Sequence, residues 1–138
     1  MTLPVARSKI DEFEKAMKDL PNQIAISELD VRHHITDSGL YAREMIIPAG
    51  TIITGKIKKH EHISVVSAGL LTEVTEAGLQ RIKAPYTMVS KPGTKRIVWA
   101  HTDVVWVTIH ATTETTLDKI EEELIAYSYD EVLLGEVK

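Results

Sequence analysis

The chain changes its hydrophobic period twice. From Ser8 to Leu20 the apolar residues Ile10, Phe13, Met17 and Leu20 recur at three- and four-residue steps, which places them on one stripe of a helix. Ser8 is positioned to cap that helix with Asp11 three residues on, and Pro21 to stop it. The middle of the chain shifts to short runs rich in β-branched and aromatic residues, over 41–47, 51–57, 60–67, 70–75, 80–84, 87–89, 97–100 and 104–110. Turn signals at Asp37-Ser38-Gly39, Pro48-Ala49-Gly50, Glu76-Ala77-Gly78 and Lys91-Pro92-Gly93 separate several of them. Helical spacing returns over 116–126, with Leu117, Ile120, Leu124 and Ile125 on one side and Glu121, Glu122 and Glu123 mostly toward solvent. Eight short strands between two helices predict a mainly β fold, a sandwich or small barrel. No repeat, low-complexity tract or linker divides residues 1–138, so one domain is expected.

Composition narrows the function classes. With 138 residues the chain is long enough to bury a core without disulfide or metal staples. The 16 basic and 20 acidic residues leave a net charge of −4, too mild to imply a polyanionic or polycationic partner. Lys56, Lys58 and Lys59 form the densest basic cluster, which is no nucleic-acid footprint. The absence of cysteine excludes disulfides, thiol nucleophiles and thiolate metal sites, and suits a reducing cytoplasm. The N-terminus lacks the charged start and apolar core of a signal peptide, and no apolar run reaches membrane-spanning length. A soluble cytoplasmic protein is the expectation.

Candidate chemistry concentrates at His60-Glu61-His62. On a strand, a His-x-His pair projects both imidazoles from one face, half of a metal site. Glu44, His34, Glu73, His101 and His110, each on or beside a predicted strand, are candidate donors to complete it. A carboxylate third ligand suits non-haem iron, and a third imidazole suits zinc. The alternative is that His60 and His62 face solvent or hydrogen-bond in a polar barrel mouth. The neighbours His33 and His34 diverge on an extended segment and read as loop residues. Trp106, Thr108 and His110 alternate on one face of the last strand, with Trp106 either flooring a cavity or packing in the core. Tyr41 and Arg43 share a face opposite Glu44. No Gly-x-Ser-x-Gly elbow or glycine-rich phosphate loop is present.

The β-rich middle, roughly residues 30–112, resembles a cupin, a small double-stranded β-helix of the RmlC-like jelly-roll type. Gly55, His60-Glu61-His62 and Gly69 follow the first cupin motif, and Pro92-x-x-x-Arg96 with its Pro92-Gly93 turn follows the second. The run from Tyr41 to His110 is also similar to uncharacterised cupin-like proteins met in bacteriophage genomes. The resemblance implies a barrel over about 30–112 flanked by helices over about 8–20 and 116–126, a host-cytoplasmic location if the chain is phage-encoded, and a homodimer. It also implies a divalent metal, iron, manganese, nickel or zinc. Two of the family's ligands are missing, however: its glutamate falls near Val66 or Ser67, and its third histidine falls on Arg96, which cannot be a ligand.

Those losses damage a metal site while leaving a polar, basic lumen. The leading expectation is therefore a small-molecule binding protein whose lumen holds an anionic ligand through Arg96, His60 and His62, with Trp106 and Tyr41 in the wall. An inward arginine in an apolar barrel needs a partner, and a ligand would supply it; the alternative is a surface arginine paired to an acidic neighbour. A second reading is a metal-dependent enzyme with His60, His62 and Glu44 as ligands. A third is a phage structural or assembly component using the barrel as scaffold.

Overall fold

The computed structural model describes residues 6–18 and 29–126. Among them the chain runs α1 (Arg7–Lys18), β1 (Asp30–Ile35), β2 (Leu40–Ile47), β3 (Ile52–Thr54), β4 (Ile57–Lys58), β5 (His62–Ala68), β6 (Leu70–Thr75), β7 (Gly78–Lys83), β8 (Tyr86–Ser90), β9 (Ile97–Ala100), β10 (Val104–Ala111), α2 (Leu117–Leu124) and β11 (Ile125–Ala126). Two sheets face each other, one in the order β1-β2-β10-β5-β8 and one in the order β3-β9-β6-β7, while β4 and β11 form a short ribbon. All pairings are antiparallel. No helix among the described residues is long and apolar enough to cross a membrane.

Alternation along the strands builds the interior. Ile47, Val66, Val104 and Trp106 from the larger sheet meet Ile53, Leu71, Ile82, Val98 and Ala100 from the smaller one in a continuous buried cluster. The β5–β6 corner turns at Gly69, whose φ of +98° only glycine adopts freely and whose missing Cβ leaves room for the Asp103 carbonyl oxygen.

The two helices plug different places. α1 is pinned through Arg7 to Glu76 and the Gly93 carbonyl, and through Asp11 and Glu14 to Lys95, with Ile10 fully buried. It starts one residue earlier than the sequence reading put it, so Ser8 lies inside the helix instead of capping it; Leu20 and Pro21 lie outside the described residues. Ile120 and Leu124 of α2 pack on Tyr41 as a second, smaller core.

Three strands were not legible as such. β1 carries polar residues on both faces because it is an edge strand, so His33 and His34, read as loop histidines, are strand residues. The run 51–57 is broken into β3 and β4. The end of the second predicted helix is instead β11, whose Ile125 and Ala126 pair with Lys58 and Ile57.

Candidate ligand cavity

A cavity of about 1190 Å³ opens between the two sheets, with α1 and α2 contributing to its rim, and it is large enough for a small organic ligand. Its floor is the apolar core. Its polar wall comes from neighbouring residues on adjacent strands. Cross-strand register places Tyr41 beside His110 and Arg43 beside Thr108 on β2 and β10. Ser64 lies opposite Thr108 on β5, and His62 stacks on His110 with ring centroids 4.4 Å apart.

The imidazoles and the phenol form a ladder across the sheet. His110 stacks on Tyr41 at 5.9 Å and Tyr41 on His33 at 6.0 Å. The Tyr41 hydroxyl lies 2.7 Å from His33 Nδ1, and burial pushes its pKa up to about 12, so it remains a phenol that donates to the ring nitrogen. His62 Nδ1 donates to the His60 carbonyl at 3.2 Å. Burial, then the positive charges of Arg96 and Lys58, push the His62 pKa down to about 4. Burial, then His62, Lys58 and Arg43, push His110 down to about 3. Both rings are neutral at pH 7.

Arg96 lies just before β9 and lines the cavity. Its partner is protein, though: Nε donates to Glu73 Oε2 at 3.0 Å and Nη2 to Ser90 Oγ at 2.9 Å, while the guanidinium lies 5.7 Å from the Trp106 ring centre. Ser90 is held in turn by Ser64 at 2.8 Å. Trp106 is both core and cavity wall. Glu73, a candidate metal donor by sequence, is the counter-ion of Arg96.

The uncommitted cations are elsewhere. Arg43 and Lys58 line the same cavity, and neither has a carboxylate within salt-bridge distance among the described residues. Burial, then Arg43, Lys56 and Arg96, drive the Lys58 pKa down to about 8 against a weaker opposing pull from Glu121. Two neutral polar atoms of residues lining the same cavity, Thr108 Oγ1 and His110 Nδ1, are buried with no hydrogen-bond partner among the described residues. Buried polar atoms are rarely left so; both residues line the cavity, while the two atoms themselves are covered by protein. Lys58 and Thr108 carried no motif; only the register and the β4–β11 ribbon bring them to the cavity.

Other sequence candidates lie outside it. His60 precedes β5 in a bend and is exposed, so the His-x-His pair does not share a strand face; only His62 reaches the cavity. Glu44 points away from the lumen and pairs with His34 at 3.2 Å. His101 bonds Thr72 at 2.7 Å and lies in tilted ring contact with the exposed Trp99.

No family model matches the sequence, and no curated protein does. Solved structures match the architecture. An ectoine synthase from P. lautus aligns with TM-score 0.57 at 16% identity, covering 82% of this chain and 85% of that one. An RmlC-like cupin from Shewanella frigidimarina aligns with TM-score 0.54 at 13% identity, covering 70% and 85%. A cupin superfamily protein from Desulfitobacterium hafniense aligns with TM-score 0.53 at 3% identity, covering 65% and 83%. The chain has a cupin fold. At these identities the likeness extends to architecture alone, and it lends no support to a phage origin.

A cupin barrel often holds a divalent metal, and the residues here do not fit one. The glutamate slot is the buried Val66 or the exposed Ser67, beside an irregularity in the β5–β10 register. The third-histidine slot is Arg96, and His60 and Glu44 stand outside the cavity. Of the three imidazoles that line it, His62 and His110 stack on each other among cations and His33 is engaged by the Tyr41 hydroxyl. Among the described residues no group of three or more His, Asp or Glu is placed to hold an ion.

Proposed function

We propose that this cupin binds a small anionic molecule in its lumen, with Arg43 and Lys58 supplying the charge. The observation that carries the reading is that three cations, Arg43, Lys56 and Lys58, line one cavity with no carboxylate within salt-bridge distance among the described residues. A carboxylate or phosphate is the ligand chemistry that such cations match. Trp106 and Arg96 line the cavity as well, and the Glu73–Arg96–Ser90–Ser64 chain acts as the frame that keeps this side of the barrel polar and rigid.

The test is a thermal-shift and calorimetric screen of small carboxylates and phosphates against the protein, Arg43→Gln and Lys58→Gln. A specific ligand at a hundred times its Kd stabilises the fold by about 2.7 kcal/mol. Binding should be lost in either variant and unchanged by EDTA. An anion that binds both variants as tightly as the parent chain sinks the reading.

A homodimer is part of the same proposal. On the outer face of the larger sheet, Val89, Ile63 and Ile109 form one cross-strand row, and Val65 with Val107 continues it. Val89 and Ile63 are 56% and 43% exposed, an apolar stripe suited to a second copy. Light scattering on the Ile63→Lys variant should report a monomer if that face pairs.

A further inference from the structure

Lys58 is held in an unusual way for a lysine. Its backbone is fixed from both sides: Ile125 of β11 pairs with it, the Gly93 amide donates to its carbonyl at 3.0 Å, and the next amide, of Lys59, donates to Leu124 at 2.7 Å. The side chain therefore enters the cavity from a rigid base. Among the described residues its ammonium has no carboxylate partner, and Nζ reaches the Lys56 carbonyl at 3.5 Å, at the limit of a hydrogen bond. Arg43, Lys56 and Arg96 face it with like charge, Glu121 with opposite charge, and His62 and His110 as neutral rings. An amine walled by cations beside an apolar lumen gives up its proton readily, and a free amine is a nucleophile.

Extending the anion-binding reading above, on which this rests, we propose that Lys58 is a carbonyl-capture residue: its ε-amine condenses with the carbonyl of an oxo acid whose carboxylate is held by Arg43. The Nζ lone pair forms the C–N bond. The carbonyl oxygen leaves as water with two hydrogens from the amine, giving an imine with no change of oxidation state. Thr108 lies opposite Arg43 in the β2–β10 register, which fixes the strand position from which Arg43 reaches the cavity.

The experiment uses the full chain with pyruvate or levulinate, which place the carbonyl next to the carboxylate or two carbons farther away. Cyanoborohydride traps any imine, and peptide mass spectrometry locates it. The expected result is one saturable adduct per chain, on Lys58, formed at least tenfold faster than on Lys56 or Lys59 with one of the two acids. Lys58→Arg should remove it, and Arg43→Gln should raise the half-saturating acid concentration about tenfold. Adducts spread evenly over the lysines of the parent chain would overturn the proposal without any variant. Acetone trapped at Lys58 as efficiently as the acids would overturn the role of Arg43. In parallel, calorimetry with lactate and with 4-hydroxypentanoate, the hydroxy counterparts that lack the carbonyl, separates the two readings. Hydroxy acids that bind through Arg43 while no oxo acid is trapped leave the anion site standing and remove the nucleophile. If nothing binds and nothing is trapped, both fall.

Discussion

Glu73→Gln is the change that best separates what frames the cavity from what binds in it. The Glu73–Arg96 pair is largely buried, with side chains 7% and 16% exposed, and it ties β6 to the segment just before its neighbour β9. Removing one partner of a buried pair costs about 3–5 kcal/mol when the other charge is left stranded. Arg96 keeps Ser90 and the face of Trp106 and borders the cavity, so the expected loss is nearer 2–3 kcal/mol. In a domain of this size that lowers Tm by roughly 10 °C. The same change frees a positive charge at the wall. At an effective dielectric of about 20, a ligand charge held about 8 Å from Arg96 gains about 2 kcal/mol, more than a tenfold rise in anion affinity. Urea unfolding and titration calorimetry on the same sample read both numbers. A variant that loses stability and gains affinity supports the division of labour. One that is as stable as the parent, or that loses stability and affinity together, refutes it. The double variant Glu73→Leu/Arg96→Met should recover most of the stability, because a well-packed apolar pair avoids the desolvation of both charges.

Three other perturbations follow from the same geometry. His62 and His110 titrate near 6.5 in the unfolded chain but near 4 and 3 in the fold, so the unfolded state binds more protons as pH falls. Stability should be full above about pH 6.5 and decline below it by at most about 1.4 kcal/mol per pH unit for each ring, a slope that urea midpoints at pH 7 and pH 5 measure and that His110→Phe should roughly halve. Gly69→Ala would put a Cβ against the Asp103 carbonyl oxygen and 2.9 Å from Val104 Cα at a positive φ, and should cost at least about 2 kcal/mol by the same assay. Tyr41→Phe removes the donor to His33 Nδ1 and should cost about 1 kcal/mol; the His33 ring resonances should shift in the variant and those of the outward-facing His34 should not.

The sequence by itself determined the kind of fold. Period-two runs over 70–75, 97–100 and 104–110 are half-buried strands wherever they are placed, because side-chain direction alternates regardless of partner, and turn residues marked most of their ends. The place of Arg96 beside the lumen was suggested only by the cupin resemblance, whose third-histidine slot it fills, whereas that Tyr41 and Arg43 share a face was legible from spacing alone. The chemistry of the cavity was not, because it depends on which strands become neighbours. Only antiparallel register brings Arg43 to Thr108 and Tyr41 to His110 across 60 or more positions of chain. Glu73 as the partner of Arg96, Lys58 turned inward by a two-residue ribbon, and His60 turned outward by a bend are likewise decided by tertiary pairing. Local spacing tells which side of a strand a residue takes; whether that side meets a cation, a carboxylate or empty space is settled only when distant strands close on each other.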